Sequence, residues 1–397
     1  MNQPIAVKSR IQSIDVLRGI VMIIMALDHV RDFFHVEAFQ SDPLDPATTN
    51  GPLYFTRWIT HFCAPVFVFL AGTSAYLAGL KKDKAALSKF LITRGLWLIL
   101  IEIVVITLGI TFNPFYNAII LQVIWAIGIS MVLLGFAVRL PYAAIFAIGA
   151  VIVLGHNLLD YPEAERGFGN LGFWWDLVHG GRFSFHPFAP QHGVIIVYPF
   201  LAWTGIMLLG YCAGRLFRPS VSAAARRKNL LLIGSGLIVL FLLLRFNNGY
   251  GDPAPWRSYK DGWATFFSFM NVTKYPPSLM YSCITLGPAL LLLALIEKTQ
   301  NRFTSFAIIY GRVPFFYYVV HFYLIHILTV IAFFLAGYGV NDIAAPNSPF
   351  FFRPVEFGYN LFNTYLVWIS VVLLLYLPCR WYNRYKASHT HWWLSYV

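Results

Sequence analysis

The sequence is poor in charge. Only 12% of its 397 residues are Asp, Glu, Lys or Arg, against 58% that are hydrophobic. A soluble globular chain carries roughly twice that share of charge, so a set of two or three water-solvated domains is excluded. Cysteine is scarce too. The four, Cys63, Cys212, Cys283 and Cys379, fall within or at the ends of apolar segments with no CxxC spacing, which argues against disulfides and a zinc site; no metal centre is expected. The chain has no Walker loop, no GxSxG elbow, no HExxH and no dinucleotide fingerprint, so the templates of soluble enzymes do not apply. A cleavable leader is not expected either, because the first apolar run is interrupted by Asp28 and His29 and no small-residue cleavage pattern follows.

What the sequence has in abundance is apolar windows. A bilayer core needs about 20 apolar residues per helix, and the periodicity predicts ten such helices: 14 to 36, 57 to 80, 94 to 112, 118 to 137, 141 to 158, 193 to 216, 229 to 246, 277 to 297, 307 to 336 and 358 to 380. The expected fold is an all-α integral membrane protein, built as one domain over 1 to 397. No internal repeat or linker marks a second one.

The net charge of +12 follows topology; it does not form the basic stripe of a nucleic-acid binder. Most of the 29 basic residues fall in alternate loops: Lys8, Arg10 and Arg18; Lys81, Lys82, Lys84, Lys89 and Arg94; Arg139; Arg215, Arg218, Arg226, Arg227 and Lys228; Lys298 and Arg302; Arg380, Arg384 and Lys386. The positive-inside rule puts these loops, and both termini, in the cytoplasm. Two loops on the opposite side, 159 to 192 and 247 to 276, are long and rich in Gly, Pro and aromatics, and are candidates to cover a site. The tail from Tyr382, with Trp392, Trp393 and Tyr396, reads as an interfacial anchor.

The first predicted helix carries the most chemistry. Ser13 is placed to cap it, with Asp15 in its first turn. Arg18 and His29 are eleven residues apart, which returns them to nearly one face about 16 Å apart along the axis. Around His29 stand Asp28, Arg31 and Asp32, within i, i+3 and i, i+4 reach of one another. Ionisable groups at this depth are costly and point to function; an imidazole beside a carboxylate can take a proton near neutral pH. Arg57 and His61, a turn apart at the start of the second helix, face this cluster by hairpin geometry. Lys274 and Tyr275 open the eighth helix from the same side and suit an anionic or sugar substrate or an interfacial anchor. His321 is expected in a pocket, His326 in packing, and Glu102 as buried polar glue.

Several of these stretches together resemble the bacterial relatives of the heparan-α-glucosaminide N-acetyltransferase catalytic domain. The likeness rests on Arg10-x-x-Ser13-Ile-Asp15-Val-Leu-Arg18-Gly19, on Pro65 to Gly72, on Lys274-Tyr-Pro-Pro-Ser278, on Tyr310-Gly-Arg-Val-Pro-Phe-Phe-Tyr-Tyr-Val-Val-His321 and on Trp392-Trp-Leu-Ser-Tyr396. It implies a multi-helix acetyltransferase, in a bacterial inner membrane, that takes acetyl groups from cytoplasmic acetyl-CoA to a saccharide or envelope acceptor on the far side. Arg18-x10-His29 is also similar to the first-helix motif of the bacterial membrane sugar O-acyltransferases, whose histidine is regarded as catalytic. Carried over, Arg18 lies near the CoA entrance, and His29 is the base or a transient acyl carrier.

These readings assign catalysis to His29, Asp28, Asp32 and His61, with His29 and His61 as alternatives for the histidine role. Arg18 and Arg94 are expected to hold the CoA phosphates, and Arg57, Lys274, Tyr275 and His321 to bind the acceptor. The rival reading is a transporter of a small polar or lipid-linked substrate, which would also use intramembrane Asp and His but for which no inverted repeat or paired broken helices are detectable.

Overall fold

The first helix, α1 (Gln12–Phe34), sits at the centre of the computed structural model, which describes residues 11–167, 171–345 and 348–395. Lys8, Arg10 and Tyr396 lie outside the described residues. Ile11 occupies the N-cap position without a side-chain bond, and Ser13, expected as the cap, is inside the helix; its hydroxyl donates to Glu297 Oε2 at 3.1 Å instead.

The later helices are α2 (Gly51–Gly79), α3 (Lys84–Thr111), α4 (Val123–Ala137), α5 (Tyr142–Glu165), α6 (Phe200–Phe217), α7 (Ala223–Asn247), α8 (Gly262–Met270), α9 (Leu279–Leu295), α10 (Arg302–Arg312), α11 (Pro314–Leu335) and α12 (Leu361–Ser388). Their starts are written in the sequence. Asn50, Asp83, Ser222, Asp261, Ser278 and Asn360 each accept a first-turn backbone N–H, and Asn301 and Thr304 form a reciprocal capping box.

Seven helices, α2, α3, α5, α6, α7, α11 and α12, are long and apolar enough to cross a membrane by length and composition. The chain is therefore an integral membrane protein. The other three expected spans differ in kind: α4 and α9 are apolar but shorter, and α1 is long enough but carries Asp15, Arg18, Asp28, Arg31 and Asp32.

Two features depart from an all-α fold with unbroken spans. Ala118–Leu121 and His192–Ile196, read as the starts of helices, are strands β1 and β3 of a small sheet completed by β2 (Ser184–Ala189). Its order is β1-β3-β2, with β1 parallel and β2 antiparallel to β3. Short Ile- and Val-rich runs cannot be told from helix ends by hydropathy, and their β-branching favours the pleated form. The expected helix 307 to 336 is also split, into α10 and α11 at Val313, because Pro314 lacks an N–H and keeps the preceding residue out of helical backbone geometry.

Around α1 pack α2, α9, α10, α11 and α12. The approach to α10 is set by glycine. A Cβ on Gly19 would stand 1.9 Å from Ala307 O, and one on Gly311 1.8 Å from Asp15 O, so only hydrogen fits at either position. α3 and α4 pair antiparallel: Gly95 meets Gly128, and Gly135 meets Ile92 and Ser88.

Candidate active site

Two chambers lie along α1. The larger, about 600 Å³, is lined by Asp28, His29, Arg31, Asp32, Arg57, His61, Lys274 and Tyr275. The smaller, about 360 Å³, is lined by Arg18, Arg94, Arg312 and Lys386 among apolar side chains. Phe67 and Val123 line both, so the chambers meet there. The α1 stripe from Arg18 to His29 thus runs from one chamber into the other.

His29 does not pair with the neighbouring carboxylates. Its Nδ1 lies 2.6 Å from His321 Nε2, and His321 Nδ1 in turn lies 2.6 Å from Tyr318 O and 3.1 Å from Tyr317 O. Carbonyls only accept, so His321 Nδ1 carries the proton and, in the neutral ring, Nε2 is the acceptor. His29 must then donate from Nδ1, which leaves its Nε2 as the lone-pair atom of the ring. One tautomer of each histidine is selected by the backbone of α11. Phe322, stacked on the His29 ring at 4.3 Å between centroids, holds its plane. His321 itself is fully buried and stands behind His29, outside both chamber linings.

The carboxylates belong to a charge network. Arg57 Nη1 donates to both oxygens of Asp28, at 2.8 and 2.7 Å; Arg31 stands 3.7 Å from Asp28, and Lys274 4.0 Å. Arg31 also donates to Asp32 at 2.5 Å. Three cations face three carboxylates in the lining, since Asp42 joins Asp28 and Asp32, so the chamber wall is balanced in formal charge. Lys274 lies 5.1 Å from the centre of the Tyr275 ring. Burial pushes the Tyr275 hydroxyl up, but the charges of Lys274 and Arg57 outweigh it and hold that hydroxyl below its ordinary value.

His61 is 2% exposed, its Nδ1 has no hydrogen-bond partner, and its carbonyl accepts from Tyr281 at 2.7 Å. It shares the chamber with His29 but no direct bond. The end of α1 is pinned by Arg353, which donates to Asp32 O at 3.3 Å and His35 O at 2.8 Å. Burial lowers this guanidinium only to about 10, so it remains a cation at neutral pH.

In the smaller chamber Arg18 donates to Ser74 Oγ at 3.0 Å and to Gly311 O at 3.3 Å, with Asp15 at 3.5 Å. Arg94 joins it there as expected, and Arg312 and Lys386 were not anticipated in this role. Arg312 lay in a motif noted for its resemblance, and Lys386 was assigned to the interfacial tail. Tyr318, whose carbonyl holds His321, also lines this chamber, so one turn of α11 touches both. Glu102 is buried in a π-helical turn and accepts from Gln122 N–H at 2.6 Å. His326 lies between Gly109 O and Phe351 O, at 3.2 and 2.8 Å, consistent with packing.

A second polar cluster lies off the chambers. Asp160, Glu163 and His179 could together hold a metal ion; no sequence spacing announced them, because α5 runs on to Glu165, into the expected 159 to 192 loop, and His179 arrives 16 residues after Glu163 from a separate turn, Asp176–Gly180.

A sequence model of the family described as "Heparan-alpha-glucosaminide N-acetyltransferase, catalytic" matches residues 10–243. That span holds Arg18, His29, Arg57, His61 and Arg94, while Lys274, Arg312, His321 and Lys386 lie beyond it. No curated protein matches the chain.

Proposed function

The chain belongs to the heparan-alpha-glucosaminide N-acetyltransferase catalytic family, and on that premise we propose that it carries acetyl groups across a membrane to an acceptor. The donor is cytoplasmic acetyl-CoA in the Arg18 chamber; the acceptor is an amine or hydroxyl of a saccharide or other envelope component in the His29 chamber. One observation supports this reading above the others: two cation-bearing chambers along α1 share Phe67 and Val123 in their walls. Four basic side chains over an apolar wall suit the phosphates and pantetheine arm of CoA. The polar chamber suits a hydroxylated acceptor.

In this reading all ten expected helices cross the inner membrane of a bacterium as one domain, with both termini cytoplasmic. His29 Nε2 takes a proton from the acceptor as its nitrogen or oxygen attacks the thioester carbonyl. The new C–N or C–O bond forms, the C–S bond breaks, and the proton passes to the CoA thiolate. The same Nε2 lone pair would serve if the histidine carried the acetyl group transiently. Asp28 and Asp32, engaged by Arg57 and Arg31, balance charge and do not orient the ring. Arg31, Arg57 and Lys274 supply the positive charge that offsets the oxyanion. Tyr275 and His61 line the acceptor's position.

The test is acetyl transfer by purified protein from labelled acetyl-CoA to a panel of amino sugars and hydroxyl acceptors. His29→Ala is expected to lower turnover about 10²–10⁴-fold while acetyl-CoA still raises the melting temperature. Unchanged turnover would remove His29 from the mechanism.

A further inference from the structure

The cluster of Asp160, Glu163 and His179 lines neither chamber, and acetyl transfer makes no use of it. We propose that it binds one divalent first-row transition-metal ion of the zinc class, which fastens the turn Asp176–Gly180 to the end of α5. The inference is independent of the acetyltransferase reading.

The three side chains are buried, 6%, 2% and 0% exposed, and their ligand atoms all lie within 4.8 Å of one another. Ligands about 2.1 Å from a tetrahedral metal stand about 3.4 Å apart, so a closure of up to about 1.4 Å completes the site. One imidazole with two carboxylates matches zinc or manganese better than calcium or magnesium, which favour all-oxygen shells.

Charge points the same way. Two buried carboxylates have Arg182 as their neighbouring cation, 3.5 Å from Asp160 and 3.9 Å from Glu163, so with neutral histidines one negative charge is left over. Glu163 Oε2 is buried without a hydrogen-bond partner, the atom on which a metal would complete its shell.

The surrounding groups are arranged as the outer partners of metal ligands are. Asn157 donates to Asp160 Oδ2 at 2.7 Å, and Trp175 donates to Glu163 Oε1 at 2.8 Å. His179 Nε2 lies 3.1 Å from His156 Nδ1; with Nε2–H as donor, the Nδ1 lone pair faces Glu163 Oε1 at 2.7 Å. Two lone pairs at that distance repel unless a positive species joins them. The consequence reaches the acceptor chamber, because Phe183, next in sequence to Arg182, is part of its wall.

The experiment is a Zn²⁺ titration of the full-length protein in detergent after chelator treatment, by calorimetry and elemental analysis. About one equivalent should bind, and Glu163→Gln, which keeps the side chain's size, should weaken it more than about 100-fold. Wild-type protein that binds no Zn²⁺ at this site, with His179 doubly protonated by ¹⁵N imidazole shifts, would overturn the proposal in favour of a proton. Equal Zn²⁺ affinity in wild type and Glu163→Gln would overturn it as well. Acetyl transfer is not read in any arm, so a failed metal site and a failed acetyltransferase assignment are distinguishable.

Discussion

His321 offers the sharpest residue-level test, because it touches His29 and the α11 backbone but neither chamber. If it fixes the His29 tautomer, His321→Ala should lower kcat about 10–100-fold with the KM for donor and acceptor nearly unchanged. His321→Gln should recover part of the loss, since its amide can donate to Tyr318 O and accept from His29 Nδ1–H. Steady-state kinetics of the two variants decide it; equal damage from both would assign His321 to packing. The sequence already singled out His29, Arg57, His61 and Arg18, because ionisable side chains in apolar segments are conspicuous. It did not reveal that His29 binds His321 in preference to Asp32. Helical spacing identifies which residues share a face, but the choice between a carboxylate three residues away and an imidazole 292 positions on is made by packing. Asp160, Glu163 and His179 were hidden for a similar reason, being joined only when the turn Asp176–Gly180 folds back on α5.

Among the elements, the α1 and α10 crossing holds α1 against the helix that carries Arg312 to the smaller chamber, and its closeness depends on two missing side chains. Gly19→Ala and Gly311→Ala would each drive a methyl group into a backbone oxygen, Ala307 O or Asp15 O, which cannot rotate away. Each should cost about 3 kcal/mol or more, at or above the upper range for overpacking, seen as a lower melting temperature in detergent. Gly236→Ala in α7, where a Cβ meets nothing within 4 Å, should instead be neutral or stabilising by up to about 1 kcal/mol. The reverse ordering would contradict the crossing. Most helices were legible from apolar windows, but the one cap read from the sequence, Ser13, lies inside α1, and α8 within the expected 247 to 276 loop, the strands and the α10–α11 break were not legible. Ala118–Leu121 and His192–Ile196 are each too short for periodicity to decide their form. Pro314, read as part of a continuous helix, in fact begins one.

For the whole molecule, the arrangement of two chambers in series makes a claim about sidedness that hydropathy alone cannot. If the Arg18 chamber opens to the cytoplasm and the His29 chamber to the opposite face, thiol probes that cannot cross the membrane should reach each from one side only. Ala78, lining the first chamber, and Ser41, lining the second, are suitable positions; of the four free, buried native cysteines Cys63 also lines the second chamber, so both variants are made together with Cys63→Ala. In sealed vesicles of known orientation, Ala78→Cys should react only from the cytoplasmic face and be protected by acetyl-CoA. Ser41→Cys should react only from the other face and be indifferent to acetyl-CoA. Labelling of both from one face would mean that donor and acceptor meet on the same side, and acetyl transfer would then not cross the membrane. Labelling of each from both faces would describe an open path, as a transporter requires, in place of a closed contact at Phe67 and Val123. The predicted pattern follows from the proposed arrangement, in which the four cations of the Arg18 chamber hold the CoA phosphates while the acceptor occupies the His29 chamber.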